Sequence, residues 1–185
     1  MDTYQIAVVV GSLRKDSYNA RLADALLRLA PGDFTFKRVR IDDLPPYNQD
    51  DDFTPAESVV RLRTEILSAD GLMFFTPEYN RSIPGVLKNA IDQASRPYGQ
   101  NAWSGKPAGV IGVSLGAAGT AMAQQHLRNI LVFLDVPTLA QPEAFIQFKE
   151  GLIDSNGDIG EASRQFLQGW MDRYASWVRQ HAKSK

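Results

Sequence analysis

The sequence predicts a single α/β domain with three layers around a mostly parallel sheet. Continuous apolar runs at 6–10, 71–76 and 107–113 are typical of strands that are buried on both faces of such a sheet. Helical patterns separate these runs, so strands and helices alternate along the chain. The length of 185 residues, without an internal repeat or a linker, indicates one domain over 1–185.

The first part of the chain predicts two strand–helix units joined by a long loop. The strand at 6–10 precedes a helix that Pro31-Gly32 ends. Residues 34–41 alternate between apolar and polar side chains, as an edge strand does. A loop rich in Pro and Asp follows at 42–53. Thr54-Pro55-Ala56-Glu57 then matches a capping box with proline in the first helical position, which predicts the start of the second helix.

The rest of the chain continues the alternation. The predicted elements are a strand at 71–76, a helix at about 84–94, an irregular loop at 96–106, a strand at 107–113, a helix at about 120–134 and a short fifth strand near 136–139. The last helix places Phe166, Trp170, Tyr174 and Trp177 on one face. An aromatic stripe at helical spacing predicts core packing and not a cofactor site.

Composition excludes several classes of function. The chain has no cysteine, so it forms no disulfide, thiolate metal site or cysteine nucleophile, and we expect no metal. A net charge of −1 argues against a nucleic-acid partner. The N-terminus lacks the pattern of a signal peptide, and no apolar run approaches the roughly 20 residues of a membrane span. We therefore expect a cytoplasmic protein without membrane insertion.

The loop after the first strand has the donors that a terminal phosphate needs. Ser12 and Ser17 supply hydroxyls, Arg14 a guanidinium and Asn19 an amide, all beside a predicted helix N-terminus. The loop is neither a P-loop nor a GxGxxG motif. The alternative interpretation is an ordinary serine-capped loop whose Arg14 lies in solvent.

Two further loops follow buried strands, where ligands of parallel sheets bind. In 76–84, prolines rigidify a backbone that could recognise the edge of a flat heterocycle, while Tyr79 offers a ring face and Asn80 both a donor and an acceptor. In 112–119, small residues would let a ring approach the backbone closely. The alternatives are a rigid connector and close helix–strand packing, respectively.

The second of these loops also matches the G-x-S-x-G nucleophile elbow of serine hydrolases at Ser114. A catalytic triad would need a histidine after it. Only His126 and His181 are available, in the next helix and in the polar tail, and neither is well placed. We expect His126 to lie on a helix surface.

Taken together, these motifs resemble those of a known family. Gly11-Ser12-Leu13-Arg14 with Ser17 and Asn19, followed by Pro77-Glu78-Tyr79-Asn80 and Ser82-Ile83-Pro84-Gly85, resembles the NADPH-dependent FMN reductase family over residues 4–180. The chain looks most like the bacterial soluble quinone and chromate reductases. The resemblance implies a flavodoxin-like α/β/α sandwich with a five-stranded parallel sheet in the order 2-1-3-4-5.

The resemblance also implies how the chain holds noncovalent FMN. The phosphate would be bound by Ser12, Arg14, Ser17 and Asn19, and the isoalloxazine and ribityl chain by Pro77, Glu78, Tyr79 and Asn80. Ser114 and Gly116 would lie along the other edge of the ring. The walls of the nicotinamide and substrate pocket would include Tyr47, Arg81, Tyr98 and Trp103.

The activity implied is ping-pong transfer of hydride from NADPH or NADH, through flavin N5, to quinones and also to chromate, azo or nitro compounds. No catalytic residue is assigned, because the chemistry takes place on flavin N5. Glu78, the nearest ionisable side chain, is expected to act through its backbone. A homodimer or homotetramer is expected, with the 45–48 loop covering a partner's flavin.

Two other functional classes are alternatives to this activity. A flavodoxin-like electron carrier would hold FMN, but such carriers are usually strongly acidic. A phosphoacceptor receiver needs an acidic cluster after the first strand, where this chain has Ser12 and Arg14.

Overall fold

The chain folds around a five-stranded parallel sheet in the order β2-β1-β3-β4-β5, as shown by a computed structural model that describes residues 3–182. The strands are β1 (Tyr4–Val10), β2 (Phe34–Arg38), β3 (Gly71–Phe75), β4 (Ala108–Ser114) and β5 (Phe145–Gln147). The helices are α1 (Tyr18–Leu27), α2 (Glu57–Ser68), α3 (Gly85–Ala94), α4 (Ala121–Phe133) and α5 (Glu161–His181), with a 3₁₀ turn at Gln49–Asp51. This architecture confirms the predicted flavodoxin-like fold class.

Helices cover both faces of the sheet because its central strands are apolar on both sides. Ala7 and Val9 of β1 face one core, which α2, α3 and α4 complete. Ile6 and Val8 face the opposite core, which α1 and α5 complete. Alternate side chains of a strand point to opposite faces, so one apolar run serves two layers.

The fifth strand forms further along the chain than the sequence predicts. Leu139 donates its backbone N–H to Ala108 at 2.8 Å, so the predicted segment does pair with the start of β4. Regular pairing resumes only at Phe145–Gln147, opposite Gly112–Ser114. Pro142 lies between the two stretches and has no N–H to donate, which is consistent with the break in the ladder there.

Two smaller predictions are also wrong. Helix α2 begins at Glu57 after Ala56 and has no side-chain cap, and the Thr54 N–H donates to the Asp51 carbonyl at 3.0 Å instead of taking part in a capping box. In α5, Phe166 is exposed and Leu167 takes the buried position. Trp170 and Tyr174 pack in the core as predicted.

The three loops singled out in the sequence lie side by side. Their strands β1, β3 and β4 are neighbours at the centre of the sheet, and all three end at the same edge. Gly11 donates to Phe75 at 2.8 Å and Thr76 donates to Ile111 at 3.0 Å, so the pairing extends to the first residue of the loops after β1 and β3. Within residues 3–182, none of the helices is long and apolar enough to span a membrane.

Candidate functional site

The β1–α1 loop ends on a capped helix N-terminus. Ser17 is buried and its hydroxyl accepts from the Ala20 N–H at 3.2 Å, which caps α1. The N–H groups at the start of a helix have no acceptor within the helix and attract anions. The Ser12 hydroxyl accepts from the Arg14 N–H at 3.4 Å and folds the loop back toward them.

Two cations of this loop form no ion pair within residues 3–182. Neither Arg14 nor Lys15 has a carboxylate partner there, although Arg38 and Arg40 nearby are paired with Asp24 and with aspartates of the following loop. The Arg14 guanidinium instead lies 5.4 Å from the centre of the Tyr18 ring. Both cations line a cavity of about 300 Å³ between the loop and the end of β2. Free positive charge beside a helix N-terminus is suited to a phosphate.

Asn19 has a different role from the one that the sequence suggested. Its side-chain Nδ2 donates to the Val113 carbonyl at 2.9 Å, and its Oδ1 accepts from the Val113 N–H at 3.0 Å. The side chain is buried and joins α1 to β4. Because both ends of the amide are engaged, Asn19 can contribute to a phosphate site through its backbone N–H.

The β3–α3 loop contains a tight hairpin. Tyr79 and Ser82 exchange two backbone hydrogen bonds of 3.0 Å, and the central residues Asn80 and Arg81 have φ angles of 53° and 61°. This is the conformation of a type I′ turn, which normally favours glycine at the second central position. The turn therefore holds the Arg81 backbone in a strained conformation that presents Tyr79, Asn80 and Arg81 to solvent.

The side chain of Glu78 fixes this loop against α4. Its Oε2 accepts from the Ala123 N–H at 3.0 Å, in the first turn of the helix. A carboxylate at this position satisfies a free helical donor and complements the helix dipole. Glu78 is thus a structural cap, and its side chain contributes more than the backbone role that we expected.

The glycines of the β4–α4 region differ in what surrounds them. A Cβ on Gly112 would lie 2.2 Å from the Thr76 oxygen, and a Cβ on Gly119 would lie 2.5 Å from the Phe145 carbonyl carbon. These two positions serve close packing. A Cβ on Gly116 would meet nothing nearer than the Ser114 hydroxyl at 3.9 Å, and Gly116 is exposed, so this position is open to a ligand.

Ser114 is not activated as a nucleophile. Its hydroxyl donates to the Gly116 carbonyl at 3.2 Å, whereas the ring of His126 contacts Ser82. His181 lies at the far end of α5 and contacts Trp177. Among the described residues neither histidine is bonded to Ser114, so no triad forms around it.

The four predicted wall residues occupy different environments. Trp103 is completely buried, donates to the Ile91 carbonyl at 3.0 Å and packs on Phe74, so it belongs to the core and the wall prediction is wrong. Tyr98 is 87% exposed in the α3–β4 loop. Arg81 is also exposed, on the hairpin.

Tyr47 is half-buried in the 45–48 loop, which is tied to α3. Its N–H donates to the Asn89 side chain at 2.8 Å, and its hydroxyl donates to Asp52 at 3.2 Å. Burial and the bond to Asp52 raise the pKa of the Tyr47 phenol above its usual range. The guanidinium of Arg96 lies 5.8 Å from the ring centre.

One pair of polar residues at this edge was not found from the sequence. The His126 Nδ1 lies 3.0 Å from the Ser82 hydroxyl, which joins α4 to the hairpin loop. The residues are 44 positions apart, and no local pattern links them. Only the three-dimensional arrangement of β3, β4 and α4 brings them together.

These residues suit a flat cofactor that ends in a phosphate. Cationic and helical donors lie after β1, a rigid hairpin with an exposed ring lies after β3, and the open Gly116 lies after β4. These features share the edge of the sheet where the strand order reverses, at which ligands of open α/β sheets bind. The described residues contain no group of three metal-ligating His, Asp or Glu side chains.

Comparison with known proteins gives consistent matches along most of the chain. Residues 4–151 match the model of a family described as NADPH-dependent FMN reductase. A 2-hydroxy-1,4-benzoquinone reductase from a Burkholderia species is 55% identical over 176 residues, which is 95% of this chain and 96% of that protein. A quinone reductase from Pseudomonas putida is 52% identical over 177 residues, which is 95% of each protein.

A solved structure is also closely similar. The flavoenzyme NAD(P)H:(acceptor) oxidoreductase FerB from Paracoccus denitrificans superposes with a TM-score of 0.94 at 46% identity. The match covers 98% of this chain and 100% of that one.

Proposed function

Because the chain belongs to the NADPH-dependent FMN reductase family, we propose that it reduces quinones by two electrons, with FMN held noncovalently and NAD(P)H as the hydride donor. The chain is an oxidoreductase that works with FMN and NAD(P)H.

The main support for quinones as acceptors comes from the similar proteins. Relatives that are 52% and 55% identical along 95% of the chain are both named for the reduction of quinones. At the residue level, the exposed Tyr79 and the open Gly116 leave room for a flat ring beside the cofactor. Chromate, azo and nitro compounds are proposed as further acceptors of the same site.

In this proposal, residues 1–185 form one FMN-binding domain. The phosphate is bound by the N–H groups of α1, the hydroxyls of Ser12 and Ser17, and Arg14. Residues 77–80 contact the isoalloxazine ring and the ribityl chain. Ser114 and Gly116 lie along the other edge of that ring. Arg81, Tyr98 and Tyr47 border the space for nicotinamide and acceptor.

The reaction follows a ping-pong order. When bound, FMN would supply a ring that can accept a hydride and pass it on, and residues 77–80 with Ser114 and Gly116 would hold that ring. The nicotinamide leaves before the acceptor enters, since both need the same open face beside Tyr79. We further propose a homodimer or homotetramer in the cytoplasm, in which the 45–48 loop covers a partner's flavin.

The proposal is tested by the visible spectrum of the purified protein under argon. Flavin bands near 370 and 450 nm should bleach when NADPH is added and return when benzoquinone follows. A bound flavin that NADPH does not bleach would indicate an electron carrier instead. A protein that contains no flavin and takes up no FMN would refute the proposal.

A further inference from the structure

The contact between Ser82 and His126 lies beside the loop that we propose to hold the flavin ring. Ser82 is fixed by two backbone hydrogen bonds to Tyr79. His126 is fixed by α4, and the Glu78 side chain binds that helix three residues earlier, at Ala123. The bond between Glu78 and Ala123 therefore fixes the loop against α4. The hydrogen bond of 3.0 Å between Ser82 and His126 is a second link between the loop and the helix.

The imidazole retains a free nitrogen in this arrangement. Nδ1 contacts the Ser82 hydroxyl, and Nε2 has no hydrogen-bond partner within residues 3–182. His126 is exposed, so Nε2 can exchange protons with water. Histidine is the side chain best suited to carry a proton at neutral pH.

The other ionisable side chains of this loop are less suited to donate a proton. Glu78 accepts from the Ala123 N–H, so its carboxylate is engaged in the cap. The Arg81 guanidinium does not release its proton in proteins. Tyr79 presents a phenol that is 52% exposed and is the one competing donor on the hairpin.

Reduction of a quinone to a hydroquinone requires two electrons and two protons. A hydride brings both electrons and one proton, and it leaves one quinone oxygen as an anion. We propose that His126 is a catalytic residue that donates the remaining proton to this oxygen, and that Ser82 is the positioning residue that orients its ring. This inference rests on the proposed function.

The proton transfer balances without another reactant. The imidazolium N–H bond at Nε2 breaks and an O–H bond forms on the acceptor, which leaves neutral imidazole and a neutral hydroquinone. Water then returns a proton to the exposed ring. In this proposal Nδ1–H donates to the Ser82 hydroxyl before and after the transfer, which holds the ring and leaves Nε2 free to give up its proton.

Measuring reduction by NADPH and reoxidation by quinone separately distinguishes a catalytic role of His126 from a structural one. His126→Asn keeps an N–H that can bond Ser82 but cannot transfer a proton. In stopped-flow measurements on the FMN-loaded protein, we expect NADPH to reduce this variant at the wild-type rate. Reoxidation by benzoquinone should slow by about tenfold or more, in line with the contribution of general acids.

An acceptor that takes no proton provides the internal control. Ferricyanide accepts single electrons, so it should reoxidise the variant as fast as the wild type. Added imidazole should restore the benzoquinone rate in His126→Ala. The matched control is His181→Asn, which removes the chain's other histidine and should leave every rate unchanged.

The outcomes are distinct. If His126→Asn is reoxidised by benzoquinone at the wild-type rate, the inference is wrong; if Tyr79→Phe slows that step instead, the phenol is the donor and the inference is also wrong. Equal slowing with ferricyanide and benzoquinone would show a structural defect and would contradict it too. A wild-type protein that NADPH cannot reduce would overturn this inference together with the proposed function.

Discussion

Gly116 and Gly119 lie three residues apart in the same loop, yet they have opposite surroundings. Gly119 has a φ of +56°, and its Cβ position lies against the backbone of Phe145 and Ile146. Gly116 has open space around it. At the residue scale, one glycine is required by the fold and the other is available to the cofactor.

This contrast gives a matched pair of variants. We expect Gly119→Ala to lower the free energy of unfolding by about 2 kcal/mol or more, because it combines a left-handed backbone with a steric clash. Gly116→Ala should change stability by less than about 0.5 kcal/mol and weaken FMN binding. Urea unfolding and FMN titration measure the two quantities, and a destabilised Gly116→Ala would contradict this assignment.

Single residues also show where sequence reasoning ends. The grouping of Ser12, Arg14 and Ser17 beside a helix N-terminus could be predicted because these residues are close in the sequence, and their role as phosphate donors stays a prediction. The Asn19 side chain is hydrogen-bonded to Val113, and the buried Trp103 side chain is hydrogen-bonded to Ile91. Both contacts depend on elements that pack together only in the folded chain. The sequence therefore predicts the chemical groups near a site better than it predicts whether those groups are already hydrogen-bonded within the protein.

At the scale of elements, α4 depends on a residue that lies outside it. Its N-cap position, Thr120, has a φ of 72° and makes no side-chain cap, so Glu78 supplies the missing acceptor from the neighbouring loop. The cap thus couples the start of α4 to the loop that we propose to hold the flavin.

We expect Glu78→Ala to lower the free energy of unfolding by about 1 kcal/mol, the usual effect of removing a helix cap. Glu78→Gln keeps an acceptor oxygen but loses the charge that favours the helix dipole, so it should lose less. Chemical denaturation of both variants measures the difference. Equal stability of wild type and Glu78→Ala would show that this bond contributes nothing.

Elements were predicted best where their periodicity was strong. The central strands and the α helices follow from apolar runs and helical spacing, but β5 does not, since its three residues have weak local preference. Its position is determined by pairing with Gly112–Ser114, after a break in the ladder that contains Pro142.

At the scale of the whole molecule, an ion pair joins the last helix to the sheet. Arg179 of α5 donates two hydrogen bonds of 2.8 and 2.9 Å and a third of 3.1 Å to Asp33, directly before β2. Hydrogen bonding to Arg179 lowers the pKa of the Asp33 carboxyl below its usual value. Residues 146 positions apart are thereby held together.

This pair predicts a dependence of stability on acid pH. A carboxyl whose pKa is lower in the folded state stabilises the fold above the unfolded pKa of about 4, and its contribution is lost as the pH falls through the folded value. Asp33→Asn should therefore lose up to about 1 kcal/mol at pH 7, the range for partly exposed pairs, and the difference from the wild type should shrink progressively as the pH falls below about 4. Urea unfolding at pH 7 and at a series of lower pH values tests this, and a difference that does not shrink with falling pH would contradict it.

Cofactor binding should also stabilise the molecule as a whole, because a ligand that binds only the folded state shifts the unfolding equilibrium. FMN at 100 times its dissociation constant should raise the free energy of unfolding by about 2.7 kcal/mol.

Riboflavin lacks the phosphate, so at equal concentration it should stabilise the wild type less than FMN does. Arg14→Ala should reduce the difference between the two flavins, since it removes a free cation beside α1. Arg173→Ala, an exposed arginine on α5, serves as the control and should leave that difference unchanged. Thermal unfolding with each flavin measures these shifts, and an Arg14→Ala variant that still distinguishes FMN from riboflavin as the wild type does would place the phosphate away from the β1–α1 loop.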